Sequence, residues 1–280
     1  MKLFLNMCCL SLILIVASCS NEEAGTKKTE SDVNVEQETE KDIEENTIEQ
    51  ETISEPEESV EEVISTPQYR LNSNDWSIEP ISEANDKIVL LTIDDAPDQH
   101  ALQMAKTLKE LNAPAIFFVN GHFLDTPEEK QVLKEIYDMG FPIGNHTYSH
   151  SNLRDLSEEK QKEEIISINN MVEEITGERP RFFRAPFGVN TDYSKTVVSE
   201  ENMLLMNWTY GYDWEKEYQN KEGIADIMVN TPLLRNGANL LMHDRTWTNE
   251  ALAEIVEGLR GKGYEMLDPN LIETPVTDPA

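Results

Sequence analysis

The sequence predicts an α/β fold built on a parallel sheet, and three observations carry that expectation. Short apolar runs alternate with amphipathic stretches from about residue 87 onward, a pattern of strand and helix repeated over seven units. Several of the intervening helical stretches close on Gly or Asn, as helix C-termini tend to. Ionisable residues that look misplaced in apolar surroundings sit at the C-terminal ends of the runs, the face on which parallel α/β folds build their sites.

Taken in order, the first strand is "KIVLLTID" (87–94), where four of the first five residues are Ile, Val or Leu, as in a strand buried on both faces. Next come "AIFFVNG" (115–121), "PIGNHT" (142–147), "RFFRAP" (181–186), "MLLMNWTY" (203–210), "ANLLMHD" (238–244) and "YEMLD" (264–268). Phe117, Phe118, Phe182 and Phe183 on these runs are core by default. Helical stretches between them include "HALQMAKTLKELN", "PEEKQVLKEIYDMG" and "SEEKQKEEIISINNMVEEITG". No internal repeat is visible, and the sheet is either open or closed into a barrel.

The chain of 280 residues begins "MKLFLNMCCLSLILIVASCS". One lysine, a short apolar stretch and small residues ending in Cys19 give the layout of a secretory signal, and Leu3 to Ala17 is short for a membrane span. "VASC" resembles the bacterial lipobox, so residues 1–19 are expected to be a lipoprotein signal segment with the lipid carried on Cys19. All three cysteines (Cys8, Cys9, Cys19) lie in this segment. The exported part therefore has no disulfide, thiol nucleophile or thiolate site, and a metal would be held by His, Asp or Glu.

Residues 20–66 hold 17 acidic and 3 basic residues and no aromatic, which is the composition of a disordered tether. As a flexible coil, such a segment spans about 40 Å, and further where its charges repel. Residues 67–280 form the expected folded domain. The formal net charge of −31 argues against a nucleic-acid partner, which would call for a basic face.

Five strand ends deliver polar groups to one rim. Asp94 and Asp95 end the first strand, His146 the third, Arg184 the fourth; Tyr210 to Asp213 follow the fifth, and His243 ends the sixth. Two adjacent buried carboxylates are costly unless their charge is compensated. His146 and His150 in "NHTYSH" are four residues apart, which on a helical turn places both imidazoles on one side. With a strand-end aspartate they make a set suited to zinc or another divalent ion with positions left open. One aspartate can then be a ligand while the other acts as a general base toward the attacking water. Arg184, the only basic residue expected on a buried strand end, would keep Asp94 ionised. His243 would be the complementary general acid, held protonated by Asp213.

These residues resemble the polysaccharide deacetylases of carbohydrate esterase family 4, the NodB-homology group, over about residues 85–270. The five motifs appear in order as "TIDDAP", "HTYSH", "RAPF", "DW" and "LMH". The resemblance implies a distorted (β/α) barrel of about seven parallel strand–helix units that hydrolyses acetyl groups from N-acetylated sugars without a covalent acyl-enzyme. It implies Asp94 as base, with Asp95, His146 and His150 as metal ligands. His243 would be the acid, Arg184 would orient Asp94, and Asp213 would tune His243. The Phe187 backbone N–H would face the oxyanion, while Trp214 and Leu241 would line the acetyl pocket. Three positions depart from the family pattern: Ile93 for Phe, Ala96 for Gly, which adds a methyl beside the catalytic pair, and Tyr210 for the first Asp of the fourth motif.

The expectation is thus a zinc-dependent deacetylase, with cobalt or another divalent ion as alternatives. It would be a monomer, lipid-anchored to the outer face of the cytoplasmic membrane and acting on acetylated cell-wall glycan, first of all peptidoglycan N-acetylglucosamine. Chitin oligomers or O-acetylated xylan are the alternative substrates, and a wall-binding lipoprotein without turnover is the alternative class. His100 is expected in the opening turn of a helix and His122 in a surface loop. Trp247 either stacks on a sugar or packs, and Asn145 and Asp244 either support motif residues or are exposed.

Overall fold

The described part of this computed structural model, residues 66–275, opens with an antiparallel hairpin, β1 (Tyr69–Leu71) and β2 (Ile78–Pro80). Residues 1–65 and 276–280 lie outside it, and with them the expected signal segment, Cys19 and all but the last residue of the expected tether. Strand and helix then alternate. In chain order they are β3 (Ile88–Ala96), α1 (Ala101–Glu110), β4 (Ala115–Val119), α2 (Pro127–Asp138), β5 (Ile143–Asn145), α3 (Glu158–Thr176) and β6 (Phe182–Phe183). There follow α4 (Asp192–Glu200), β7 (Leu204–Leu205), α5 (Lys221–Asn230), β8 (Ala238–His243), α6 (Thr246–Gly261) and β9 (Glu265–Met266). Each of the seven runs expected to be strands holds one, with β3 continuing past its run to Ala96.

Every pairing among β3 to β9 is parallel, in the order β7-β6-β5-β4-β3-β8, with β9 added at the start of β3. The stretch after β7 reaches across to β8. Tyr210 bridges Leu240, the Thr209 N–H donates to the Asn239 carbonyl at 2.8 Å, and the Leu241 N–H donates to the Tyr210 carbonyl at 2.8 Å. The run 203–210 therefore touches β6 with its first half and β8 with its second, and the sheet curls into a distorted (β/α) half-barrel.

Period-two alternation along the strands sorts most of their side chains between two apolar clusters, while Phe183 of β6 joins a third with residues of α3 and α4. Val89, Leu91, Ile93, Phe117 and Val119 point outward, under residues of α1, α2, α5 and α6. Ile88, Leu90, Ile116, Phe118, Phe182 and Met206 point inward and fill the barrel. Tyr69 and Ile78 of the hairpin join that inner cluster next to Ile88, the first residue of β3, so the hairpin closes the end of the barrel from which the strands start. The Ile78 N–H fixes it there by donating to the Gly237 carbonyl at 2.7 Å.

The helices begin where their sequences allow a cap. Thr126 and Glu129 form a capping box ahead of Pro127 in α2, Ser157 caps α3, and Thr191 and Ser194 form a box at α4. Gly177 (φ 87°) ends α3 in the left-handed conformation that glycine tolerates best. α1 has no cap of its own. The buried Asp244 carboxylate serves it from the end of β8, accepting the backbone N–H groups of Asp98, Gln99, His100 and Ala101.

Gly144 in β5 lies against the Phe118 ring, where an added Cβ would come within 2.4 Å of a ring carbon. Gly144→Ala is expected to lower stability by about 1–3 kcal/mol through overpacking. Gly261→Ala, in open space at the end of α6, is the control and is expected to be neutral or slightly stabilising. Equal urea midpoints for the two variants would contradict this packing of the barrel interior.

Candidate active site

Neighbouring residues on a regular strand point to opposite faces, so Asp94 and Asp95 should not share a cavity. They do because β3 is irregular at that point. Its register against β4 shifts between Ile93 and Ala96, and Asp95 has a left-handed backbone (φ 60°). Such an irregularity re-aims a side chain next to a site. Asp94 is 2% exposed and faces the barrel mouth with Asp95 beside it.

His146 follows β5 directly. The helical turn expected for His146 to His150 is absent: the segment is a loop in which Thr147 (φ 68°) and His150 (φ 56°) are both left-handed. The two imidazoles still converge, with ring centroids 5.0 Å apart. Asn145 holds the loop, its Oδ1 accepting the Thr147 N–H at 2.9 Å while its amide donates to the Ile165 carbonyl and to Asn169 Oδ1. Asn145 is therefore buried support rather than surface.

Nδ1 of His146 lies 2.7 Å from the Arg184 carbonyl oxygen, which can only accept, so this nitrogen carries a proton and Nε2 is the atom turned toward the carboxylates. That Nε2 is 3.5 Å from Asp94 Oδ2 and 3.8 Å from Asp95 Oδ1, and His150 Nε2 is 3.4 Å from Asp95 Oδ1. Asp95, His146 and His150 offer one donor atom each, all within 4.8 Å of one another. Burial and the neighbouring His146 push His150 below the ordinary imidazole value, against the pull of Asp95 and Asp94, so it is neutral as a ligand must be. Burial works against ionised Asp95, but His243, His146, His150 and Arg245 outweigh it and hold the carboxyl below the usual range. Two imidazole nitrogens and one carboxylate oxygen are a donor set that fits a divalent cation.

Arg184 is fully buried inside the barrel, its guanidinium 4.4 Å from the centroid of the Phe118 ring. Nη1 donates to Asp94 Oδ1 at 2.6 Å and to Thr92 Oγ1 at 2.8 Å, and Nη2 donates to the Asn207 carbonyl at 2.9 Å. Asp94 is thus anchored through Oδ1, which leaves Oδ2 facing the imidazoles.

Asp94 and His243 are direct partners in the β3–β8 register. Asp213 holds His243 twice: Oδ2 accepts its backbone N–H at 2.6 Å, and Oδ1 lies 2.7 Å from Nδ1. Nε2 is then the atom turned toward the cavity. Thr248 Oγ1 donates to Asp213 Oδ2, and Trp247 Nε1 donates to the Asp213 carbonyl, both at 2.8 Å. Trp247 accordingly braces Asp213. Burial lowers the His243 pKa, but the Asp213 charge and hydrogen bond, with Asp94 and Asp95, outweigh it and hold the imidazole above its ordinary value.

A cavity of about 420 Å³ joins Asp94, Asp95, His146, His150, Phe187, Trp214, Leu241 and His243, with Arg184 and Asp213 directly behind it. All ten residues singled out in the sequence meet here. Three that were not also line the cavity: Ala185, next to Arg184, Trp208, edge-on to Trp214, and Arg245, whose Nη2 donates to Asp95 Oδ2 at 2.7 Å. Arg184 is therefore not the only cation at the rim. Arg245 stands two residues past motif five and the end of β8, and a charged residue just past a strand end is the signal that could have found it.

The three departures from the family pattern fall away from the cavity wall. Ile93, Ala96 and Tyr210 all pack in the outer apolar cluster, so the Ala96 methyl does not enter the cavity. Tyr210 donates its hydroxyl to the Met228 carbonyl at 2.7 Å. His100 stands at the start of α1 with Nε2 3.1 Å from Thr246 Oγ1, and His122 is an exposed residue 2.9 Å from the Tyr148 carbonyl.

Because its pKa is raised, His243 stays protonated up to a higher pH than a free imidazole and loses the proton as pH climbs through that value. Asp213→Asn removes the stabilising charge, so an NMR titration of the His243 ring is expected to move to lower pH than in the wild type. An unchanged titration would contradict Asp213 as the cause.

Comparison with known proteins agrees with this architecture. The family model for polysaccharide deacetylase matches residues 82–206. A peptidoglycan-N-acetylglucosamine deacetylase from Bacillus cereus is 31% identical over 192 residues, covering 65% of this chain and 86% of its own. The solved structure of peptidoglycan deacetylase PdaC from Bacillus subtilis superposes with a TM-score of 0.59 at 29% identity, covering 66% of this chain and 89% of that one. Against the full-length PdaC, a peptidoglycan-N-acetylmuramic acid deacetylase, the match spans 42% of its length. A solved pseudoenzyme of carbohydrate esterase family 4 from Bacillus anthracis is equally near, with a TM-score of 0.59 at 29% identity over 65% of this chain and 63% of its own. The chain belongs to the polysaccharide deacetylase family, the family 4 carbohydrate esterases.

Proposed function

We propose that the protein is a metal-dependent deacetylase acting on N-acetylated sugars of a cell-wall polysaccharide, with peptidoglycan N-acetylglucosamine as its first substrate. The observation that carries this reading is the presence, in one cavity, of an arginine-anchored carboxylate, an aspartate-held imidazole and a separate Asp–His–His set that could hold a metal. A divalent cation, zinc in the first instance, held by Asp95, His146 and His150 would supply Lewis acidity toward the acetyl carbonyl and the attacking water.

The protein's own groups account for the proton transfers. Asp94, anchored by Arg184 through one oxygen, takes a proton from water with the other as the water oxygen bonds to the acetyl carbon. The developing oxyanion faces the backbone N–H of Phe187. His243, held protonated by Asp213, gives the proton on Nε2 to the sugar nitrogen as the carbon–nitrogen bond breaks. Acetate and a free amino sugar are released. Trp214 and Leu241 enclose the acetyl methyl group. Phe187 (63% exposed) and Trp214 (44% exposed) present aromatic surface at the rim, where a sugar ring can stack.

The signal-like sequence of residues 1–19 and the acidic composition of residues 20–66 are what support placing the domain outside the cell on a tether. The described chain starts beside the hairpin, with the Gln68 N–H bonded to the Leu271 carbonyl. A lipid anchor on Cys19 at the outer face of the cytoplasmic membrane, followed by the acidic segment, would leave the rim free to face the wall. The domain is read as a monomer.

The similarity to a pseudoenzyme favours one rival, a wall-binding protein without turnover. Acetate release separates the two readings. The metal-loaded protein is expected to release acetate from purified wall or acetylated chito-oligosaccharides and to lose that activity with chelator; no release from any acetylated glycan would favour the rival. Asp94→Asn is expected to keep cation binding and lose about 10²–10⁴-fold in rate, whereas His150→Ala is expected to lose cation binding as well. A near-normal rate in Asp94→Asn would remove Asp94 as the base.

A further inference from the structure

We propose that Arg245 is a positioning residue that fixes how Asp95 presents its carboxylate to the cation. The proposal rests on the reading of Asp95 as a ligand and goes beyond it by assigning a role to a residue outside the five motifs.

Arg245 lies between β8 and α6, at the start of α6 but without a side-chain capping bond to it. Its guanidinium is turned the other way, toward the rim. Nη2 donates to Asp95 Oδ2 at 2.7 Å, and Nη1 donates to the Asp244 carbonyl at 2.9 Å and lies 3.8 Å from Asp98 Oδ2. The last two contacts tie the guanidinium to a rigid base. Asp244 and Asp98 belong to the turn in which the Asp244 carboxylate caps α1 through four backbone N–H groups, one of them that of Asp98. The fork is therefore held from behind while its other arm grips Asp95.

The two oxygens of Asp95 consequently differ. Oδ2 is taken by Arg245, while Oδ1 is the atom 3.8 Å from His146 Nε2 and 3.4 Å from His150 Nε2. A carboxylate without this partner could rotate or offer both oxygens. Gripped at Oδ2, it offers Oδ1 alone, already aimed between the imidazoles. This is the role that hydrogen-bonded partners play for metal-ligating side chains. It matters more here because Asp95 stands on a left-handed, irregular stretch of β3, where the strand itself does not fix its direction. The guanidinium charge works the other way, by repelling a cation. Arg245 is 36% exposed, so solvent weakens that repulsion more than it weakens the short hydrogen bond.

The test is a cation titration of the full chain against a chromophoric chelator, using zinc with the wild type and with Arg245→Ala, Arg245→Lys and His150→Ala. Arg245→Ala is expected to bind zinc tenfold to a hundredfold more weakly, with Arg245→Lys in between because it keeps one donor but loses the fork. KM for an acetylated chito-oligosaccharide, measured at saturating zinc, is expected to stay within about twofold of the wild type in Arg245→Ala. Unchanged or tighter zinc binding in Arg245→Ala would overturn the proposal. A raised KM with unchanged zinc affinity would overturn it too, and would make Arg245 a contact for an anionic group on the substrate. His150→Ala keeps the two readings apart. If it loses zinc while Arg245→Ala does not, only the positioning role fails; if it binds zinc as the wild type does, the ligand set itself fails.

Discussion

Two carboxylates on consecutive residues at the end of a buried strand can both stay ionised only if each has its own source of positive charge. That constraint organises this molecule. Asp94 is met from inside the barrel by Arg184 at 2.6 Å, and Asp95 is met from the rim by Arg245 and by the imidazole edges where a cation fits. Opposite charges at such distances interact far more strongly in a partly dry site than in water. The barrel interior is arranged to keep Arg184 in place, with Phe118 under its guanidinium and Thr92 and the Asn207 carbonyl as further acceptors. The apolar layer below it, closed by Tyr69 and Ile78, keeps that end of the barrel dry.

The same arrangement gives Asp94 and His243, the proposed base and acid, different surroundings. Asp94 and His243 are partners in one strand pair, so the backbone sets their spacing. Arg184 holds one oxygen of Asp94 and leaves the other turned toward His146. Asp213 beside His243 favours the charged, proton-donating form, and Asp213 is in turn fixed by Thr248 and Trp247. A carboxylate fixed by a guanidinium and an imidazole fixed by a carboxylate thus stand on neighbouring strands, as the proposed base and acid of amide hydrolysis require.

Much of this was legible in the sequence, for reasons particular residues make clear. The strands of a parallel sheet are buried on both faces, so "KIVLLTID" and "AIFFVNG" stand out as apolar runs. The ionisable residues at their ends stand out for the same reason, and the family resemblance supplied their individual roles. The hairpin 69–80 was not legible, because Tyr69 and Ile78 are isolated apolar residues in a polar stretch that become core only when the barrel end needs a plug. Backbone reversals were hidden too. Nothing in "NHTYSH" announces left-handed Thr147 and His150, and a helical turn was the natural expectation from spacing alone. Arg245 was passed over because its importance lies in where its guanidinium is held, by the α1 cap on one side and Asp95 on the other.

Anomalous diffraction from crystals of the protein soaked in zinc would locate the cation. A single strong peak is expected at the barrel mouth, about 2.0–2.2 Å from Asp95 Oδ1 and the Nε2 atoms of His146 and His150. Asp94 should remain on Arg184, outside the coordination sphere. A peak that uses Asp94 as a ligand, or no peak among these residues, would contradict this expectation.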